Sequence, residues 1–452
     1  MVIIEKERLG SILPLYIQEN ITYDKIVEKL LNEYRIKISK RQLIRELKNL
    51  GLLKYQRNNI SFEAKNLIKH YFYKGKKDKV ILLYLNKHDI FLSLYQLKKV
   101  RHQLSLSRKQ ECTDEMLVEI IFNEMNYSNK YLGIRLMQNH LKIAYNLFVS
   151  RQKIRDILYL LDPEALVNRK QKKLKRRVMH VQGPNFVWSV DGYDKLSHWG
   201  FYIHGCIDAY SRYIIWLQIG ISNKKSQIIL KYYLDAINEL RGIVPRVIRA
   251  DLGVEYALMA PSQIFFRENH ADVRAGILSW KYGPSTSNQR IEAWWSLLRK
   301  MKSQYWIELF SEIESNGEWN YYDYIDRECL IYIYMPLLKQ ELAELRQEWN
   351  SHRIRYDNKS HCPSGVPEDN YFLPEINNTK DYGFSINSTD YEYIYQTYCS
   401  DSNLIEYLSL ERKNIYNEIV EKILVYRNES LVNISNAMEI YSTLRIYVHQ
   451  LE

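Results

Sequence analysis

The apolar periodicity of this chain changes at Gly183, and the change demands two kinds of architecture in one polypeptide. Upstream, apolar residues recur at helical spacing; downstream they come in short runs bounded by turn residues, as in strands. Three times in the upstream part a helical stretch, a turn and a second helical stretch come in succession. The first copy pairs 23–31 with 38–52, the second starts from 80–85 and 92–97, and the third pairs 134–141 with 149–161. In each copy Ser39, Ser93 or Ser150 stands where an N-cap belongs, after an apolar residue. Four positions on come Leu43, Leu97 or Ile154, and eleven on come Leu50, Leu104 or Leu161, an apolar stripe along one helix face. A short helix, a turn and a capped second helix make the helix-turn-helix pattern.

Charge divides the chain further. Residues 1–182 hold 37 Lys and Arg against 18 Asp and Glu, a net of +19; residues 183–367 hold 21 of each; residues 368–452 hold 6 against 14, a net of −8. The basic third is built to sit on polyphosphate, where each neutralised phosphate releases counterions. On the second helices the expected DNA contacts are Lys40, Arg41 and Arg45, then Lys98, Lys99 and Arg101, then Arg151, Lys153 and Arg155. The run 169–177 adds Lys172, Lys173 and Arg176. It reads as a solvated linker that also suits a phosphate-tracking arm or a nuclear-import signal.

The 452 residues suffice for two to four domains, and 46% hydrophobic with 26% charged residues is ordinary for soluble protein. No apolar run reaches the roughly 18 residues needed to span a bilayer. The first eight residues lack the features of a signal peptide. Five scattered cysteines, never two residues apart, argue for a reducing compartment and against a zinc knuckle. The expectation is a soluble intracellular protein, nuclear if its source is a eukaryote, with no membrane partner.

Beyond Gly183, strands are expected at 187–193, 201–208 and 213–219, the last two as a hairpin, then a helix over 226–241 and a fourth strand at 247–250. Together they describe an α/β domain with a mixed sheet. Asp191 closes the first strand, Asp251 stands just past the fourth, and Glu292 lies early in an amphipathic helix with Thr286 as its expected N-cap and Gln289 three residues on. That helix carries the apolar stripe Ile291, Trp294/Trp295, Leu298, Met301 and Tyr305. Beside it runs the polar stripe Asn288, Glu292, Ser296, Arg299 and Ser303. Singly, an Asp after a strand is a turn former more often than a ligand. Jointly, two strand-end carboxylates and one helical carboxylate can converge on hard divalent cations, which take oxygen ligands. Asn288 and Arg299 are candidate phosphate contacts. Asp208 is expected to brace its turn or Arg212, Glu255, the best rival metal ligand, to support the loop after Asp251, and the nine tryptophans to be mostly core.

Trp188-Ser189-Val190-Asp191, Ile207-Asp208-Ala209-Tyr210-Ser211-Arg212, Asp251-Leu252-Gly253-Val254-Glu255 and Asn288-Gln289-Arg290-Ile291-Glu292 stand in an order that resembles the integrase core domain. This is the ribonuclease-H-like catalytic unit of retroviral integrases and related DDE transposases. The flanks Gly192-Tyr193-Asp194-Lys195, His204-Gly205-Cys206-Ile207-Asp208 and Cys362-Pro363-Ser364-Gly365 resemble a narrower group in animals and fungi with helix-turn-helix repeats upstream. The zinc-binding His/Cys module of retroviral integrases is missing. The 40 residues between Asp251 and Glu292 exceed the family's spacing, implying an insertion around 256–284.

The resemblance implies an α/β ribonuclease-H-like catalytic domain with helices on both faces of a mixed sheet, preceded by all-α helix-turn-helix repeats and followed by a mainly helical tail. The expected divisions are repeats at 1–60, 61–110 and 111–168, a basic linker at 169–182, the core with a helical extension at 183–360, and an acidic tail at 361–452. Asp191, Asp251 and Glu292 would be the catalytic residues and the ligands of two Mg²⁺ or Mn²⁺ ions. The activity implied is cleavage at DNA 3′ ends and strand transfer into target DNA by a homo-oligomer assembled on DNA. A catalytically inactive transposase-derived DNA-binding protein and a ribonuclease-H-like nuclease remain alternatives.

Overall fold

The computed structural model describes residues 12–13, 23–50, 60–107, 112–161, 181–283, 288–357 and 362–452. The chain divides into two compact units, Met1–Arg108 and Lys109–Glu452.

In the first unit, α1 (Tyr23–Tyr34) and α2 (Lys40–Asn49) pack through Ile26, Leu30, Leu43 and Leu47. Ser39 starts α2: its Oγ accepts from Gln42 N at 3.3 Å while Gln42 Oε1 accepts from Ser39 N at 2.9 Å. This reciprocal bond satisfies donors that a helix start leaves orphaned. The same box, Ser93 with Gln96, starts α5 (Leu94–Gln103). Helix α5 shares a core with α4 (Asp78–Lys87) and α3 (Phe62–Tyr73). Helix α3 is additional to the pattern of helical pairs, and it makes this second copy three-helical. Leu50 and Leu104 are C-cap residues; Leu50 is exposed, whereas Leu104 is half-buried against the core of its copy.

The second unit opens with α6 (Asp114–Met125), again additional to that pattern, then α7 (Ile134–Ala144) and α8 (Arg151–Leu161). Ser150 caps α8 through Lys153 N at 3.3 Å. These helices share one apolar core with part of the sheet domain, so the third copy is not a free-standing module.

The sheet has five strands in the order β3-β2-β1-β5-β6. β1 (Val187–Tyr193), β2 (Tyr202–Asp208) and β3 (Ile214–Gly220) form the expected antiparallel meander. After α9 (Ser226–Glu239) and the short β4 (Ile243–Val244), β5 (Val247–Ala250) returns parallel to β1. The segment read as an insertion contributes α10 (Met259–Arg267) and β6 (Trp280–Tyr282), the parallel edge strand of the same sheet. Three residues without alternation carry too little period to be read as a strand.

Helix α11 (Gln289–Leu298) lies against β1 and β2 and passes through a π-helical turn, Arg299–Ser303, into α12 (Gln304–Ser315). The 28-residue α13 (Tyr324–Ser351) packs on β3, with Asp323 capping its start. Beyond it lie α14 (Pro367–Phe372), β7 (Phe384–Ser385), α15 (Ser388–Tyr398), α16 (Leu410–Arg427) and α17 (Ala437–Leu451). Strand β7 pairs with β4, and α17 buries Ile440, Tyr441, Leu444 and Val448 in the core that also holds α13. Cys362 through Gly365 fasten a loop: Arg290 Nη2 donates to Cys362 Sγ, Cys362 Sγ to Ala209 O at 3.4 Å, and Gly365 N to Ile354 O at 3.1 Å. All nine tryptophans are buried. No helix among the described residues is long and apolar enough to cross a membrane.

Candidate active site

Sheet register sets the first two carboxylates. In the parallel pair of β1 and β5, Ser189 faces Arg249. Asp191 and Asp251, two residues further along each chain, therefore emerge at the same level and on the same face of neighbouring strands. Helix α11 brings Glu292 over them. It is fixed by Asn288, whose Nδ2 donates to Val190 O at 2.8 Å, and by buried Ile291, Trp294, Trp295 and Leu298. Asp191, Asp251 and Glu292 line one cleft of about 460 Å³.

Periodicity assigns Trp295 to the core alone. Its ring does fill core, but its Nε1–H also donates to Asp191 Oδ2 at 2.9 Å. Gly205, opposite Asp191 on β2, makes room for it: a Cβ there would stand 2.8 Å from the Trp295 ring. Burial pushes the Asp191 carboxyl up, the Trp295 bond opposes that, and the charges of Glu292 and Asp251 push it up again, to about 7. Burial and then Asp251 also raise Glu292. One oxygen of Asp251, Oδ1, is buried with no hydrogen-bond partner. An all-oxygen donor set with mutual repulsion and an orphaned carboxylate oxygen suits hard divalent cations.

The spacing differs from a single-ion cage. Among the described residues, only Asp323, Asp326 and His449 bring three ligand atoms within 4.8 Å of one another. The three cleft carboxylates stand wider than that, as a pair of ions about 4 Å apart allows. The Asp323 group has other work. Asp323 caps α13, and Arg445 holds both Asp326 oxygens.

Glu255 also lines the cleft, and its carboxylate lies against Gly253, where any Cβ would collide with it. Asp208 braces its turn as expected: Oδ1 accepts from Ser211 N at 2.7 Å and Oδ2 from Asn185 N at 2.8 Å. It has no bond to the Arg212 side chain, which reaches Pro363 O instead. Lys195, Asn223 and Lys224 also line the cleft, none singled out by periodicity.

Several of the expected nucleic-acid contacts have different surroundings. Asn288 is buried and bonded to β1, so it positions the helix rather than meeting phosphate. It also occupies the N-cap position, two residues later than expected; Thr286 lies outside the described residues. Arg101 pairs with Asp78 at 2.5 Å and sits over the Phe72 ring, a contact within its own core rather than a free cation. Lys40 pairs with Asp24 and Lys153 with Asp114. Arg151 donates to Gln138 and Arg155 to Gln152, both from exposed positions. Arg41, Arg45, Lys98 and Lys99 are exposed on α2 and α5. Arg299 lines the cleft, with its Nε donating to Gln304 at 3.2 Å. Lys172, Lys173 and Arg176 lie outside the described residues.

The family model described as "Integrase core domain" matches residues 178–372. A solved structure similar to this chain is the cryo-electron microscopy structure of the simian T-cell lymphotropic virus intasome in complex with PP2A regulatory subunit B56 gamma. The similarity runs at 13% identity over 52% of this chain and 70% of that one, with a TM-score of 0.27. Among curated proteins none matches. The sequence match agrees with the meander, the two parallel strands beside it and the helix packed across it: residues 178–372 of this chain match the integrase core domain.

Proposed function

We propose that this protein is a DDE-type DNA integrase or transposase, a polynucleotidyl transferase that cleaves DNA 3′ ends and joins them to target DNA. The observation that carries the reading is the convergence of Asp191, Asp251 and Glu292 on one cleft of an integrase core. In this reading those three residues hold two Mg²⁺ or Mn²⁺ ions. When bound, such ions activate a hydroxyl nucleophile and stabilise charge on attacking and leaving oxygens.

The chain's own part is positioning. Trp295 fixes the orientation of Asp191, Asn288 ties the Glu292 helix to β1, and Gly253 gives Glu255 space beside Asp251. Water would attack a phosphodiester at the DNA end, releasing a 3′-hydroxyl. That hydroxyl would attack a target phosphodiester in turn, with no covalent protein intermediate. Exposed Arg41, Arg45, Lys98 and Lys99 suit phosphate contacts with element ends or target. Joining two ends calls for a multimer on DNA. The basic run 169–177 suits nuclear import in a eukaryotic source.

The test is incubation of purified protein with labelled duplex ends and Mn²⁺. Joined products support the proposal, cuts without joining favour a nuclease, and a mobility shift alone favours an inactive DNA-binding descendant. Asp191→Asn should abolish cleavage and joining while DNA binding persists; undiminished joining by that variant would overturn the assignment.

A further inference from the structure

The cleft is electrically polarised. Asp251 and Glu255 lie just past β5, Asp191 stands on the neighbouring β1, and Glu292 faces the cleft from α11. Beyond the ends of β1 and β3 the lining adds two lysines beside Asp194, with Lys195 two residues past β1 and Lys224 four past β3. The two loops are tied together, since Asn223 Nδ2 donates to both Asp194 Oδ1 and Ile203 O at 2.9 Å. Arg299 joins them from α11's end, where Tyr193 OH meets Ser303 Oγ at 2.6 Å and holds the π turn against β1. Lys195 and Lys224 are exposed, and among the described residues neither forms an ion pair.

We propose that Lys195 and Lys224, with Arg299, form a phosphate seat that holds the backbone of a DNA strand leading away from the carboxylates. This rests on the DNA-joining reading above and deepens it. Arg299 is seven residues beyond Glu292, so about 10 Å along the helix axis. Duplex DNA rises ~3.4 Å per nucleotide, which puts the seat about three nucleotides from the reacting phosphate.

The seat is conditional. Five carboxylates and three cations line the cleft, a formal excess of two negative charges that repels phosphate. Two divalent ions would reverse that sign, so the lysines should engage DNA only when the carboxylates are neutralised.

The experiment compares wild type, Lys195→Ala/Lys224→Ala and Lys225→Ala, a control at an exposed lysine outside the cleft lining. Binding to a fluorescent duplex is measured from 50 to 300 mM salt, once with Ca²⁺ and once with EDTA. A thermal melt by circular dichroism verifies folding, and a strand-joining assay is run on the same preparations. With Ca²⁺ the double variant should lower the slope of log K against log salt by roughly two, at ~0.9 per lost phosphate contact. Lys225→Ala should leave it unchanged, and in EDTA the three proteins should coincide. An unchanged slope in a folded double variant overturns the seat, even if wild type joins DNA. A difference that persists in EDTA shows a contact independent of the carboxylates' neutralisation, an equal effect from Lys225→Ala shows a non-specific charge effect, and either one also overturns it. A reduced slope in Ca²⁺ alone, with no joining by wild type, leaves the seat standing and removes the joining reading.

Discussion

Asp191 is held between opposing influences, and Trp295 decides how far they go. Burial and two neighbouring carboxylates favour its neutral form, while the indole N–H favours the anion. Trp295→Phe keeps the ring and removes the donor, so the carboxyl should move further up from about 7 and compete less well for cations. A hydrogen bond to a charged group is worth ~1.5–3 kcal/mol. Mn²⁺ affinity at pH 7 should therefore fall roughly ten-fold or more, read by calorimetric titration, and recover partly at higher pH; unaltered affinity would remove Trp295 from the site. Gly205 acts through the same contact. In Gly205→Ala the new methyl would press on the Trp295 ring, a mismatch of the kind that costs ~1–3 kcal/mol. A lowered melting temperature together with weaker Mn²⁺ binding is expected, and a variant that melts like wild type would show that the ring has room to move.

At the scale of elements, the π turn after α11 accounts for both a failed expectation and a long-range tie. A simple helical period puts Ser303 on the same polar stripe as Glu292. The extra residue in the turn rotates the helix beyond it, so Lys302 and Ser303 are buried instead. Lys302 Nζ then reaches Ser128 Oγ at 3.4 Å, Asn129 Oδ1, and Glu341 Oε1 at 3.3 Å on α13. The α6–α8 helices are thus pinned to the segment that continues the Glu292 helix. Lys302→Met should cost ~3 kcal/mol by leaving Glu341 buried and short of a partner. Hydrogen exchange should speed up across 112–161, and unchanged protection there would show the tie to be idle. His140 makes a second tie, lying between Glu124 at 3.0 Å and Glu348 at 2.5 Å. Burial alone would lower its pKa, but the two carboxylates outweigh that and raise it to about 9; Glu124, pushed up by burial, is drawn down by His140 to about 2. The His140 contribution, on the order of 3 kcal/mol, is therefore full below pH 6.5 and lost as pH climbs through about 9. The Glu124 share is present above pH 4.5 and lost as pH falls through about 2. The second unit should melt highest between about pH 4.5 and 6.5, and His140→Gln should flatten the alkaline limb. A limb equally steep in that variant would assign the pH dependence elsewhere.

Across the whole molecule, what the sequence made legible was local. Ser39, Ser93 and Ser150 announce their helices because a cap bonds within three residues, and β1 to β3 announce themselves by apolar runs between turns. Asp191, Asp251 and Glu292 could be picked out because each stands close to one end of such an element. Asn288, Trp295, Lys195 and Lys224 could not, since their roles depend on partners or neighbours far away in the chain. The acidic tail is the largest case of this kind. Periodicity gives a helix a buried face but does not say what covers it, and the matched family segment stops at residue 372. Yet β7 pairs with β4, Asn185 Nδ2 donates to Asp381 at 2.8 Å, and α17 places Ile440, Tyr441, Leu444 and Val448 against the core. Fully burying four such side chains is worth ~6–12 kcal/mol, comparable to the whole stability of a typical domain. A chain cut after residue 372 keeps every cleft residue and should still fail to fold. It is expected to lose its cooperative thermal transition and to aggregate on size-exclusion chromatography. A truncated protein that melts within a few degrees of the full chain would show the tail to be an appendage rather than part of the sheet domain's core.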